Sequence, residues 1–203
     1  MSTDFAANDG VQSPNPGNTP EEIWVLWSII SSQLSITDDS DSVVLTPLIS
    51  VPNSPVPNPE RALIQVKKAP YALEAENPMP QVIIGPTLAS TAKSLSGGLF
   101  IRQWIQVSIT IMTRDYDGND LGFTLSGDIT RSKIAKAIRE IIRQNRNNPG
   151  GYGLFNNLHI IDPGRNADLA QGAQVMTSAG TVFKNGTPLY RTTIKVELFG
   201  IES

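Results

Sequence analysis

From Phe100 to Thr113 the chain alternates in character without a break. Ile101, Gln103, Ile105, Val107, Ile109 and Ile111 fall on one side and are nearly all apolar; Phe100, Arg102, Trp104, Gln106, Ser108, Thr110 and Met112 fall on the other and are mixed. A period of two over that length predicts a β-strand with one face in a core and one partly wet. At ~3.3 Å per residue such a strand spans roughly 45 Å, which is long for a single domain and suits projection toward a neighbouring subunit. The fold therefore has to be organised around a sheet.

Two helices are legible beside it. Thr19-Pro20-Glu21-Glu22 has the form of a capping box, with a hydroxyl at the cap, proline at the first helical position and glutamate at the third. Ile23, Trp24, Leu26, Trp27, Ile30 and Leu34 then recur at helical spacing, predicting a helix from 20 to about 34. A second helix is expected from about Asp128 to Asn145, capped by Ser126 or Asp128, with Ile134, Ile138, Ile141 and Ile142 as its buried stripe. The run Asn147-Asn148-Pro149-Gly150-Gly151 stops it.

Shorter strands are expected at 61–68, at 80–85 (ending abruptly between flanking prolines), at 158–161, at about 174–183 and at 189–199. Lys184-Asn185-Gly186-Thr187-Pro188 reads as the turn that makes the last two a hairpin. The order of elements predicts an α+β fold: a mostly antiparallel β-sheet with the two main helices packed on one face. Residues 1–18 read as an extended N-terminal arm lying on a neighbour, and 19–203 as one domain. Within that domain residues 46–60 carry five prolines, which suit an extended protrusion and exclude a helix interior or central strand.

Charge is both scarce and unevenly placed. Only 17% of residues are charged, against roughly 25% in an average soluble domain. Residues 1–60 hold eight Asp or Glu and neither Lys nor Arg, whereas residues 87–203 hold 13 bases against nine acids. Such a split fits an acidic segment with a basic nucleic-acid surface, or subunits stacked head to tail with opposite signs facing. No run reaches the ~18 apolar residues of a membrane span, and the first 19 residues lack the basic and apolar regions of a signal peptide. The expectation is a chain made in the cytoplasm with no membrane partner.

Motifs for chemistry are sparse. The chain has no cysteine and one histidine, His159, which excludes thiol nucleophiles and thiolate metal sites and disfavours a His-paired triad. Asp115-Tyr116-Asp117-Gly118-Asn119-Asp120 resembles the first half of a calcium loop, but Ser126 stands where the closing glutamate belongs. A solvated turn is the better reading. Gly150, Gly151 and Gly153 follow a helix instead of opening one, so they do not form a phosphate cradle. No enzyme activity, metal or cofactor is expected. The remaining feature is the outer face of the second helix, where Arg131, Lys133, Lys136, Arg139, Arg143 and Arg146 form the candidate interaction surface.

The order of parts over 19–203 resembles the tail terminator (tail completion) proteins of tailed bacteriophages. The likeness rests on the amphipathic helix Thr19–Leu34, the short strand Pro80-Gln81-Val82-Ile83-Ile84-Gly85, the long strand from Arg102 to Ile111, the second helix, and the closing strand Tyr190-Arg191-Thr192-Thr193-Ile194-Lys195-Val196-Glu197-Leu198. The resemblance implies a structural virion protein that forms a ring, expected to be a hexamer. The ring caps the tail tube, ends its polymerisation and docks the tail to the head connector or stopper. In a contractile tail it also holds the sheath, and genomic DNA passes through its lumen without specific binding. Two alternatives stand beside it: another neck or baseplate component of the same particle, and a DNA-contacting adaptor using the basic helix face.

Overall fold

The computed structural model describes residues 19–47, 64–68, 79–95, 100–116, 124–145, 159–161, 178–184 and 187–202. Helix α1 spans Glu21–Gln33 and α2 spans Gly127–Gln144. The strands are β1 (Ile36–Thr37), β2 (Val44–Leu45), β3 (Gln65–Lys68), β4 (Gln81–Leu95), β5 (Phe100–Arg114), β6 (His159–Ile161), β7 (Ser178–Lys184) and β8 (Thr187–Glu202). β1 and β2 form a small antiparallel pair of their own. The remaining six make one sheet in the order β3-β4-β5-β8-β6, with β7 also on β8. Every pairing in it is antiparallel except β3 with β4.

The fold is thus the expected α+β arrangement. α1 packs over β3, β4 and β5, α2 packs over β5, β8 and β6, and the two helices touch each other, which puts them on one face. The alternation in β5 decides that face. Ile105, Val107, Ile109 and Ile111 are buried beneath the helices, paired in register with Leu198, Val196, Ile194 and Thr192 of β8. From α1 come Ile23, Val25, Leu26, Ile29 and Ile30, and from α2 come Ile134, Ile138, Ile141 and Ile142. Burying a side chain of this size stabilises by about 1.5–3 kcal/mol, so this layer is the main source of stability. Polar bonds fix how α1 lies: the Trp27 indole donates to the Val66 carbonyl of β3 at 3.2 Å, and Gln33 meets Asn145 at the far ends of the helices.

The structure corrects two expectations. α1 begins one residue late: Pro20 takes the cap position itself, and its carbonyl accepts from the N–H groups of Ile23 and Trp24. The second correction is larger. β4 does not end at Pro86 but runs on to Leu95, pairing with β5 as far as Leu95 opposite Phe100. Two register irregularities, at Ile84/Thr87 and Thr87/Ala89, carry the proline past a point where it would otherwise interrupt the ladder. Gly85, with φ of 104°, supplies the backbone conformation that the irregularity needs. The strand expected over 61–68 is described only from Ile64, which bridges Pro47, and 61–63, the Pro-rich residues 48–60 and the arm 1–18 lie outside the described residues.

Candidate functional site

The outer face of α2 is built as the sequence arranges it: Lys136, Arg139 and Arg143 are exposed, opposite the buried stripe. The six basic residues do not, however, form one uniform surface. Arg131 is held by Asp128 one turn back at 2.6 Å and reaches the Arg191 carbonyl of β8. Lys133 donates to the Asp38 carbonyl and pairs with Asp41 at 3.4 Å, tying the β1–β2 loop to the helix. Arg143 pairs with Glu140. Arg146 lies outside the described residues. Two of the six thus serve the fold, and Lys136, Arg139 and Arg143 remain as an outward-facing group.

The N-terminus of α2 is enclosed by the chain's own carboxylates. The Ser126 N–H donates to Asp39, the Gly127 N–H donates to Asp115 Oδ1 at 2.6 Å, and the Ile129 N–H reaches Ser126 Oγ. These acceptors satisfy amides that a helix start leaves open and place negative charge at the positive end of its dipole. Tyr190 donates to the other Asp115 oxygen at 3.0 Å, and that bond holds the phenol above its ordinary pKa. Asp115, itself exposed, therefore caps a helix, and Asp117 and Asp120 of the expected solvated turn lie outside the described residues.

The loop that supplies Asp39 is organised by Asp38. Its buried carboxylate accepts from Ser40 Oγ, from Ser42 through both N–H and Oγ, and from the Val43 N–H. Burial opposes ionisation, but these donors outweigh it and hold the carboxyl below its ordinary value. The run Asp38-Asp39-Ser40-Asp41-Ser42 was the available sequence signal for this loop. Its partners, Ser126 at the cap of α2 and Lys133 within the helix, are 87 and 95 residues away, and no local pattern specifies them.

A second cluster joins α1 to β3. Trp24 and Trp27 stack with centroids 5.2 Å apart, and Lys68 Nζ lies 4.4 and 4.6 Å from the two rings. Desolvation lowers the Lys68 pKa while the ring faces attract its charge. Trp24 is buried, so the cluster locks a helix onto an edge strand. His159 occupies β6 at the register position opposite Phe199. Among the described residues no group of three or more His, Cys, Asp or Glu could hold a metal ion, and no helix is long and apolar enough to cross a membrane.

What the sequence signals missed is the outer part of the β4–β5 hairpin. In β4, Gln81–Gly85 are buried one after another, whereas Leu88, Ala89, Ser90 and Thr91 are all exposed. Consecutive strand residues face opposite sides, so exposure of four in a row means that both faces of the strand are bare there. β3 pairs only with Gln81–Ile84, which leaves Thr87–Leu95 without a described strand along that edge. β5 and β8 continue alongside, with Trp104 and Phe199 in ring contact at 5.4 Å.

Neither a protein-family model nor a curated protein sequence matches this chain.

Proposed function

We propose that this chain is a structural subunit of a phage tail terminator: a ring-forming virion protein that caps the tail tube, ends its growth and docks it to the head connector. The observation that carries the reading is a sheet that overruns its own helical cover. β4 and β5 are 15 residues long and β8 is 16, about 50 Å each, whereas α2 is 18 residues, about 27 Å. The helices account for the inner half of the sheet, and beyond it Leu88–Thr91 of β4 are exposed on both faces along the edge of the β4–β5 hairpin arm. An arm of that kind costs ordering entropy and returns burial only when another molecule covers it. Ring assembly supplies such a cover on every subunit at once. Scarcity of charge, and its division between an acidic first sixty residues and a basic remainder, supports the same reading.

Tail-tube protein of the same phage, polymerising in the presence of increasing amounts of this protein, provides the test. A terminator shortens the tubes in proportion to its concentration and appears as a ring at one tube end in negative-stain images. Tubes of unchanged length with bare ends would rule the assignment out.

A further inference from the structure

Residues 1–18, we infer, add a strand to the outer edge of β4 in their own copy, antiparallel to it, and so close that edge to other sheets. Ala89–Leu95 pair with β5 in unbroken register, from Ala89 opposite Gln106 to Leu95 opposite Phe100. Among the described residues no strand lies on their other side. On alternate residues the backbone N–H and C=O therefore point outward, and Leu88, Ala89, Ser90, Thr91 and Ser94 are exposed along the same stretch. An edge of this kind takes up an extended segment through main-chain hydrogen bonds, and left open it pairs with the edge of another sheet.

Chain reach selects the segment. α1 starts at the root of this edge, where Glu22 accepts from Thr87 Oγ1 at 2.5 Å. Residues 1–18 lead into that helix and adjoin the described residues at one end only. Running back from Thr19 toward the tip of the hairpin, they lie antiparallel to β4. At ~3.3 Å per residue, 14–18 span about 16 Å, which carries the chain from the helix start past Thr87 to Ala89. The edge from Ala89 to Leu95 is about 20 Å long, and Ser2–Ser13 cover it with length to spare. The other two segments that leave described residues on this side of the sheet fall short. Residues 48–63 begin and end at Pro47 and Ile64, which bridge each other, so they extend no more than about 30 Å from there, whereas Leu95 lies about 45 Å beyond Gln81. Residues 69–78 join Lys68, opposite Ile84, to Met79; their contour is about 40 Å, and a path out to Ala89 and back takes about 50 Å.

Backbone chemistry agrees with the placement. Pro14 and Pro16 have no N–H to give and fall beside the irregular stretch from Ile84 to Ala89, while Ser2–Ser13, free of proline, face the regular one. Attachment at the root gives the segment a local concentration on the order of millimolar, against which the same segment of another copy competes poorly. The pairing occupies the backbone edge and leaves the strand faces to a neighbouring subunit, so the inference does not rest on the terminator reading.

Hydrogen exchange of the full chain, read by mass spectrometry at single amides, tests the pairing. Alternate amides of Ala89–Leu95 are expected to exchange at least tenfold more slowly than in a variant lacking residues 2–13, with exchange in β5 and β8 unchanged. Any seven-residue register within 2–13 includes Ala7 and Asn8, one of which donates to β4. Ala7→Pro with Asn8→Pro should therefore also release edge amides, at full chain length. Because the chain has no cysteine, Ser90→Cys can carry a thiol-linked benzophenone, in an equal mixture of unlabelled and nitrogen-15-labelled copies. Its photochemical links are expected within one copy, to residues 2–13. Edge amides that exchange alike in the wild type and both variants, whether fast or slow, overturn the inference. Links from position 90 that join two copies, or that stay within one copy and avoid residues 2–13, overturn it as well. Tube length enters none of these readings, so the terminator assignment and this pairing stand or fall separately.

Discussion

Gly127 shows how tightly one residue can be specified. A Cβ built there would lie 2.5 Å from Tyr190 Cδ2 and 2.7 Å from the Arg114 carbonyl carbon, the latter in a backbone that cannot swing aside. Its N–H is held by Asp115, and its carbonyl accepts from Thr113 Oγ1 at 2.5 Å. Gly127→Ala should therefore destabilise the protein by about 1–3 kcal/mol, read as a lower midpoint in urea unfolding, although alanine is the better helix former. The carboxylates nearby predict a pH response. Hydrogen bonds hold Asp38 below the ordinary 3.8 against the opposing effect of burial; the Thr37 hydroxyl, then Lys133, lower Asp41. A depressed carboxyl stabilises the fold above its unfolded value and loses that contribution as pH falls through the folded one. Their contribution to the urea midpoint should be level between about pH 5 and 7 and should decline below about pH 4. Asp41→Asn should flatten part of that decline, and an unchanged profile would show that the bonds from Thr37 and Lys133 do not lower Asp41.

At the scale of elements, β5 and α2 were legible because each carries a strict period. Every second residue of β5 and every third or fourth of α2 lands in one core, so local pattern and tertiary packing demand the same thing. Ile109→Ala, in the fully buried central row, should cost about 2–5 kcal/mol. On the opposite side of α2, Lys136, Arg139 and Arg143 changed together to glutamine should shift stability by no more than about 1 kcal/mol. The same variant separates the terminator from a DNA-contacting adaptor. DNA affinity measured across a salt series should keep its slope if the helix face is only solvated, whereas an adaptor would lose affinity and show a flatter slope. β4 was misjudged because a proline ends a strand only where its missing N–H is needed in the ladder. At Pro86 the register shifts, and the strand continues.

For the whole molecule, the outer hairpin is separable from the core if the arm serves assembly. Replacing Thr91–Trp104 by Asn-Gly keeps the pair Ser90–Ile105 and closes the strands with a two-residue turn. The shortened protein should unfold in one cooperative transition and remain monomeric; continued self-association would remove the arm from the assembly. The sequence alone determined the α+β class, the two helices with their buried stripes, the β7–β8 hairpin and the face of β5 that enters the core. Each rests on periodicity or turn chemistry within about twenty residues. It could not show that Asp39 and Asp115 cap α2, that Lys133 clasps the β1–β2 loop, or that β4 outruns its cover. Those depend on groups brought together from as much as 95 residues apart, and on which surfaces remain bare once the core is full, which only the folded chain decides.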